Sequence, residues 1–160
     1  MQDKTEALKQ QILELFKEGD IATLYSLEAQ AHEVFDEETL HGYYANILDL
    51  ALERLTDILE SHTQLDMSNV QDFATLRALY EYGIEHYSAE DTTSAAALFE
   101  VLSGISNDTS FSNALSIHQK AAQQGIPLDT FLELYADITK TQESGSFYIN
   151  HFKQKGKDLL

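Results

Sequence analysis

The sequence predicts an all-α protein built of stacked antiparallel helical hairpins, and three observations predict it. Pro127 is the only proline and there are seven glycines in 160 residues, so helix breakers are rare. Apolar residues recur at helical spacing along most of the chain, and no segment alternates as a strand does. Short turn-and-cap clusters, such as Glu90-Asp91-Thr92 and Asn107-Asp108-Thr109, separate the periodic stretches.

The first amphipathic segment runs from about Glu6 to Lys17, with Leu8, Ile12, Leu15 and Phe16 on one stripe. Glu18-Gly19-Asp20 breaks it with a glycine and then an acidic cap, and a short helix is expected over Ile21 to Phe35. Residues 1–35 thus form a helical arm, and 36–160 a helical domain that is expected to fold with it as one unit. Asp36 caps a long helix reaching about Ser61, with Glu37 and Glu38 placed favourably in its first turn. His62 to Asn69 reads as a loop. Further helices are expected over Val70–Ser88, Thr92–Gly104, Thr109–Gln124, Leu128–Thr141 and Ser146–Lys157, with Gly125 a stop and Pro127 near a first turn.

Composition narrows the function. Hydrophobic residues make up 43% of the chain, enough for a real core. There is no cysteine, so disulfides, thiolate metal sites and cysteine nucleophiles are excluded. The start, Met1-Gln2-Asp3-Lys4-Thr5-Glu6, is charged and does not read as a signal peptide, and no apolar run reaches the ~18–20 residues of a membrane helix. A soluble, cytoplasmic protein is expected. The net charge is −17, and between Glu18 and Gln119 19 acidic side chains meet only Arg54 and Arg77. The excess of 17 therefore lies wholly in that span. Such a field disfavours nucleic acid and anionic membranes as partners, serves as a solubilising face, and can steer a basic partner.

One stretch matches a repeat. Starting at Leu76, Leu79 takes an early apolar position and Gly83 a small crossing position. Ala95 then takes the small position of the second helix, with Phe99 and Leu102 on its core positions. This is the roughly 34-residue tetratricopeptide pattern, in which small residues let two helices approach closely. The run Leu79-Tyr80-Glu81-Tyr82-Gly83, with Ala95-Ala96-Ala97-Leu98-Phe99-Glu100-Val101-Leu102 and Asp108-Thr109-Ser110-Phe111, resembles the tetratricopeptide chaperones of bacterial type III secretion that hold translocator proteins before export. Phe16-Lys17-Glu18-Gly19-Asp20-Ile21-Ala22-Thr23-Leu24 is similar to that family's N-terminal arm. The match departs in the long helix after Asp36 and in the unit from about Ser110, where Ile117 and Asp129 stand at small positions.

The resemblance implies a protein-binding chaperone of TPR-like hairpins, without enzymatic activity or cofactor. Its concave groove would take a client segment on Arg77, Tyr80, Ile84 and Tyr87 of one helix and Phe111, Ala114, His118 and Ala121 of another. Tyrosine suits such a role, with a large apolar face, a polar tip and few angles to freeze. A general helical adaptor or assembly factor is the alternative, and a metal-dependent helical bundle a third. Glu38-x-x-His41 is the one Glu-x-x-His pair, where a di-iron bundle needs two, so no metal site is assigned. No phosphate loop and no Gly-x-Ser-x-Gly elbow occurs. The stripes Leu8, Ile12, Leu15 and Leu24, Leu27 need burial, either in this chain or in a homodimer through the N-terminal helices.

Overall fold

The computed structural model describes residues 4–160. Met1, Gln2 and Asp3, read with the arm and as the charged start, lie outside the described residues. Those described form helices and connections, with two isolated bridges and no strand. Helix α1 spans Lys4–Glu18, and Gly19 (φ 70°) turns the chain into α2, Ile21–Ser26. The Asp20 side chain caps α2 by accepting from the Thr23 N–H at 3.1 Å. The single helix expected to Phe35 is divided at Leu27, whose φ and ψ of −92° and 1° leave the helical region, and α3 covers Glu28–Val34.

Asp36 caps α4, Glu37–Ser61, through the Thr39 N–H, and His62 closes it in the left-handed region with φ 55°. Asn69 caps α5, Val70–Ser88, while Asp91 caps α6, Thr92–Ile105, and Asp108 caps α7, Thr109–Gln123. Each cap satisfies helix-end donors that would otherwise be orphaned. Successive helices pack on one another, α4 on α5, α5 on α6 and α6 on α7, with α1 and α2 laid against α4 and α2 also against α5. Connections of a few residues between helices so closely packed make α5–α6 and α6–α7 antiparallel hairpins.

The loop before α5 is pinned. Its Leu65 is fully buried, and its backbone pairs with the α6–α7 turn, Leu65 N–H to Ile105 O at 2.6 Å and Asn107 N–H to Leu65 O at 3.1 Å. The arm is tied in the same manner. Gln71 bridges Asp20 and the Ala22 N–H, and Arg77 meets Glu28 at 3.1 Å and Glu81 at 2.8 Å beneath the Tyr25 ring. The Tyr43 hydroxyl donates to the Leu24 carbonyl. Leu8, Ile12, Leu24 and Leu27 are buried within this one chain, and Leu15 of the same stripes is half-buried.

The C-terminal quarter departs from expectation. In place of one helix over Leu128–Thr141, a turn α8, Leu128–Thr130, runs into a π-helical turn, Phe131–Tyr135, and stops at Ala136. Ala136 is extended because it pairs with Phe152, and Asp137 then caps α9, Ile138–Ser144. Gly145 (φ 69°) ends α9. The helix expected over Ser146–Lys157 survives only as α10, Gln154–Lys157. Ser146–Lys153 is a non-helical strap folded back over the hairpins.

Candidate functional site: an aromatic trough and the strap that fills it

Helices α5 and α7 supply the face on which a client groove was expected. Gly83 permits their neighbour α6 to pack close. A Cβ on Gly83 would stand 2.7 Å from Cε1 of Phe99, so the glycine makes room for that ring. Ala95, Phe99 and Leu102 are all fully buried. These helix-packing residues thus lie in the interior, with the Phe99 ring nearest to Gly83.

The expected groove is not an open surface. Of its eight residues, Tyr80, Tyr87, Phe111, Ala114, His118 and Ala121 are buried, while Arg77 and Ile84 are half-buried at the margin. Arg77 faces the arm. Tyr87 donates its hydroxyl hydrogen to the Ile126 carbonyl at 2.5 Å and thereby fixes the α7–α8 turn. The remainder of the trough is filled by the strap. Phe147 meets the rings of Tyr80 and Phe111 at 6.0 Å each, Tyr148 meets Phe111 at 5.0 Å, and Phe152 meets His118 at 5.9 Å. These separations suit edge-on aromatic contact.

Two polar devices hold the strap. His118 is entirely buried, and its Nδ1 lies 2.7 Å from the Ala114 carbonyl, which can only accept, so Nδ1 carries the hydrogen. Its Nε2 then accepts from the Tyr80 hydroxyl at 2.8 Å, and the Tyr80 oxygen accepts the Ile149 N–H at 3.1 Å. Burial presses the imidazole pKa down to about 4, against the opposing bond to Ala114, so the ring is neutral at physiological pH. Burial likewise pushes the Tyr80 hydroxyl above its ordinary value. The second device is Thr141, whose Oγ1 accepts the N–H groups of Asn150 at 3.4 Å and His151 at 3.3 Å. Backbone bonds from Asp137 N–H to His151 O and from Lys153 N–H to Tyr135 O close the end.

Sequence reasoning missed Phe147, Ile149, Phe152 and Thr141. A signal existed for the first two: Phe147-Tyr148-Ile149 follows Gly145-Ser146, and aromatic and β-branched residues in a row favour extended backbone over helix. Phe152 carried no local mark.

Among the described residues no three His, Asp or Glu side chains converge as metal ligands, and no helix is long and apolar enough to cross a membrane. Comparison with protein-family models, curated proteins and solved structures finds no match to this chain.

Proposed function

We propose that the chain is a protein-binding helical-repeat protein of TPR-like hairpins, and that it works as a cytoplasmic chaperone holding an export client or assembly partner in the α5–α7 trough. The observation that carries this reading is the strap. A segment bearing aromatic side chains, Ser146–Lys153, sits in the trough through ring contacts and a backbone N–H on Tyr80. A client segment of like character would meet the same partners. The type III translocator chaperones are the leading concrete form, on the resemblance from Leu79 to Phe111. In this reading client and strap compete, and the client's apparent affinity is lowered by the small fraction of molecules whose trough is open.

The test is an affinity that rises when a native contact is removed. Phe147→Ala weakens a half-buried anchor by about 1–2 kcal/mol, so a labelled peptide spanning Ser146–Lys153 should bind that variant about tenfold more tightly than the wild type. Fluorescence anisotropy reads this, with circular dichroism reporting helix content. Equal or weaker binding by a variant of native helicity makes the trough ordinary core. A general helical adaptor is the second reading, favoured by the pairing of both arginines in the acidic span, which leaves its field for a partner to neutralise.

A further inference from the structure

A second surface, beside the trough and sharing Arg77 with its margin, carries an inference of its own. Where α2, the pinned loop and the start of α5 meet, there is a notch of about 310 Å³ whose walls include Ala22, Tyr25, Met67, Val70, Phe73 and Arg77. Its apolar rim is unusually open to solvent: Val70 is 69% exposed and Phe73 42%. Val70, Phe73, Arg77, Glu81 and Glu85 follow one another at helical spacing, so α5 presents an outward stripe that is apolar at its beginning and acidic toward its end. From Phe73 to Glu81 the stripe advances about 12 Å along the axis.

The electrostatics around the notch choose the partner. Arg54 and Arg77, the only cations between Glu18 and Gln119, are both spent within the fold, on Asp72 and on Glu28 with Glu81. Among the described residues no other carboxylate of that span forms a salt bridge to lysine or arginine. Exposed apolar side chains framed by an uncompensated acidic field suit an amphipathic segment of opposite charge. A second copy of this chain is disfavoured as occupant. Each copy has a net charge of −17, and three of the five lysines from Lys120 onward are engaged at home, Lys153 on the Glu133 carbonyl, Lys120 on the Leu160 carbonyl and Lys155 over the Tyr135 ring.

We propose that the Val70–Phe73 notch is a docking site for a basic amphipathic segment of another protein. The segment places an apolar side chain between Tyr25 and Phe73 and a lysine or arginine over Glu85, Glu81 being held by Arg77.

A synthetic helix-forming peptide of leucines and lysines, titrated into the full-length chain, tests this directly. Binding is expected, weakening steeply as sodium chloride is raised, and weaker by about tenfold in Val70→Ser and in Phe73→Ser. Val70 is the cleaner variant because Phe73 also touches Phe147, 5.0 Å between ring centres. Analogues of the peptide with serine for leucine, or glutamate for lysine, should not bind. Absence of binding, binding indifferent to Val70→Ser, or capture of the leucine-free peptide equally well overturns the proposal. So does a concentration-dependent dimer in light scattering that Val70→Ser abolishes, since the notch would then belong to a second copy.

Discussion

At the scale of single residues, the neutral His118 ring and the Tyr80 hydroxyl define the interior. Together they form a chain of three hydrogen bonds that ends on a strap amide. Protonating the ring gives Nε2 a hydrogen, and the Tyr80 hydroxyl loses the acceptor to which it donates. The folded pKa is about 4 against an ordinary 6.5, so it is lowered, and an unfolded chain takes the proton first. Stability is therefore unaffected by this group above about pH 6.5 and falls as pH drops toward 4, by about 3 kcal/mol across the window. Urea titrations at stepped pH check this: His118→Gln should be less stable than wild type at pH 7 yet lose less between pH 6.5 and 4. Glu28 acts in the same sense at lower pH. Burial opposes its charge, but the hydrogen bonds from Tyr44 and Arg77 hold its carboxyl below the ordinary value, so its contribution too disappears as acid is added.

At the scale of elements, what was legible and what was not divide by range. Asp20, Asp36, Asp91 and Asp108 mark helix starts, because a cap acts on donors two or three residues away. The break at Ala136 was not legible, since Phe131, Leu132, Tyr135 and Ile138 continue a helical spacing straight through it. What decides there is Phe152, 16 residues on, whose pairing with Ala136 no local window contains. The strap was misread as a helix for the same reason. Its attachment has a specific weak point in the Thr141 hydroxyl, which satisfies two amides at once. Thr141→Val keeps the shape and strands both, at a cost of about 1–3 kcal/mol. Hydrogen exchange should show the amides of Asn150 and His151 losing protection while those of α5, α6 and α7 keep theirs. Uniform loss throughout would mean that strap and hairpins open only together.

At the scale of the molecule, the hairpin order of the central helices was readable because turns, caps and periodicity agree there. The direction in which the trough faces was not. A stripe of Tyr80, Phe111 and His118 announces that something apolar covers it, and is silent on whether that cover is solvent-borne or the chain's own tail. A small residue such as Gly83 likewise states that another group comes close, and the packing shows the nearest to be the Phe99 ring. Charge is a property of the whole in a stricter sense. With −17 spread over the surface and both central arginines already paired, the compact state repels itself. Raising sodium chloride from about 0.02 to about 0.5 M should therefore increase the urea midpoint, as screening relieves that repulsion more than it weakens a few ion pairs. A midpoint that falls with salt would mean that the ion pairs on Arg54 and Arg77 outweigh the repulsion.

The pairing of Leu65 with Ile105 and Asn107 turns what looks like slack between two helices into a clasp. Segments joined only by chain can be lengthened without penalty, but this one fastens two distant corners of the body by its own backbone. An epitope or reporter threaded into residues 62–69 would pull the first long rod away from the last hairpin.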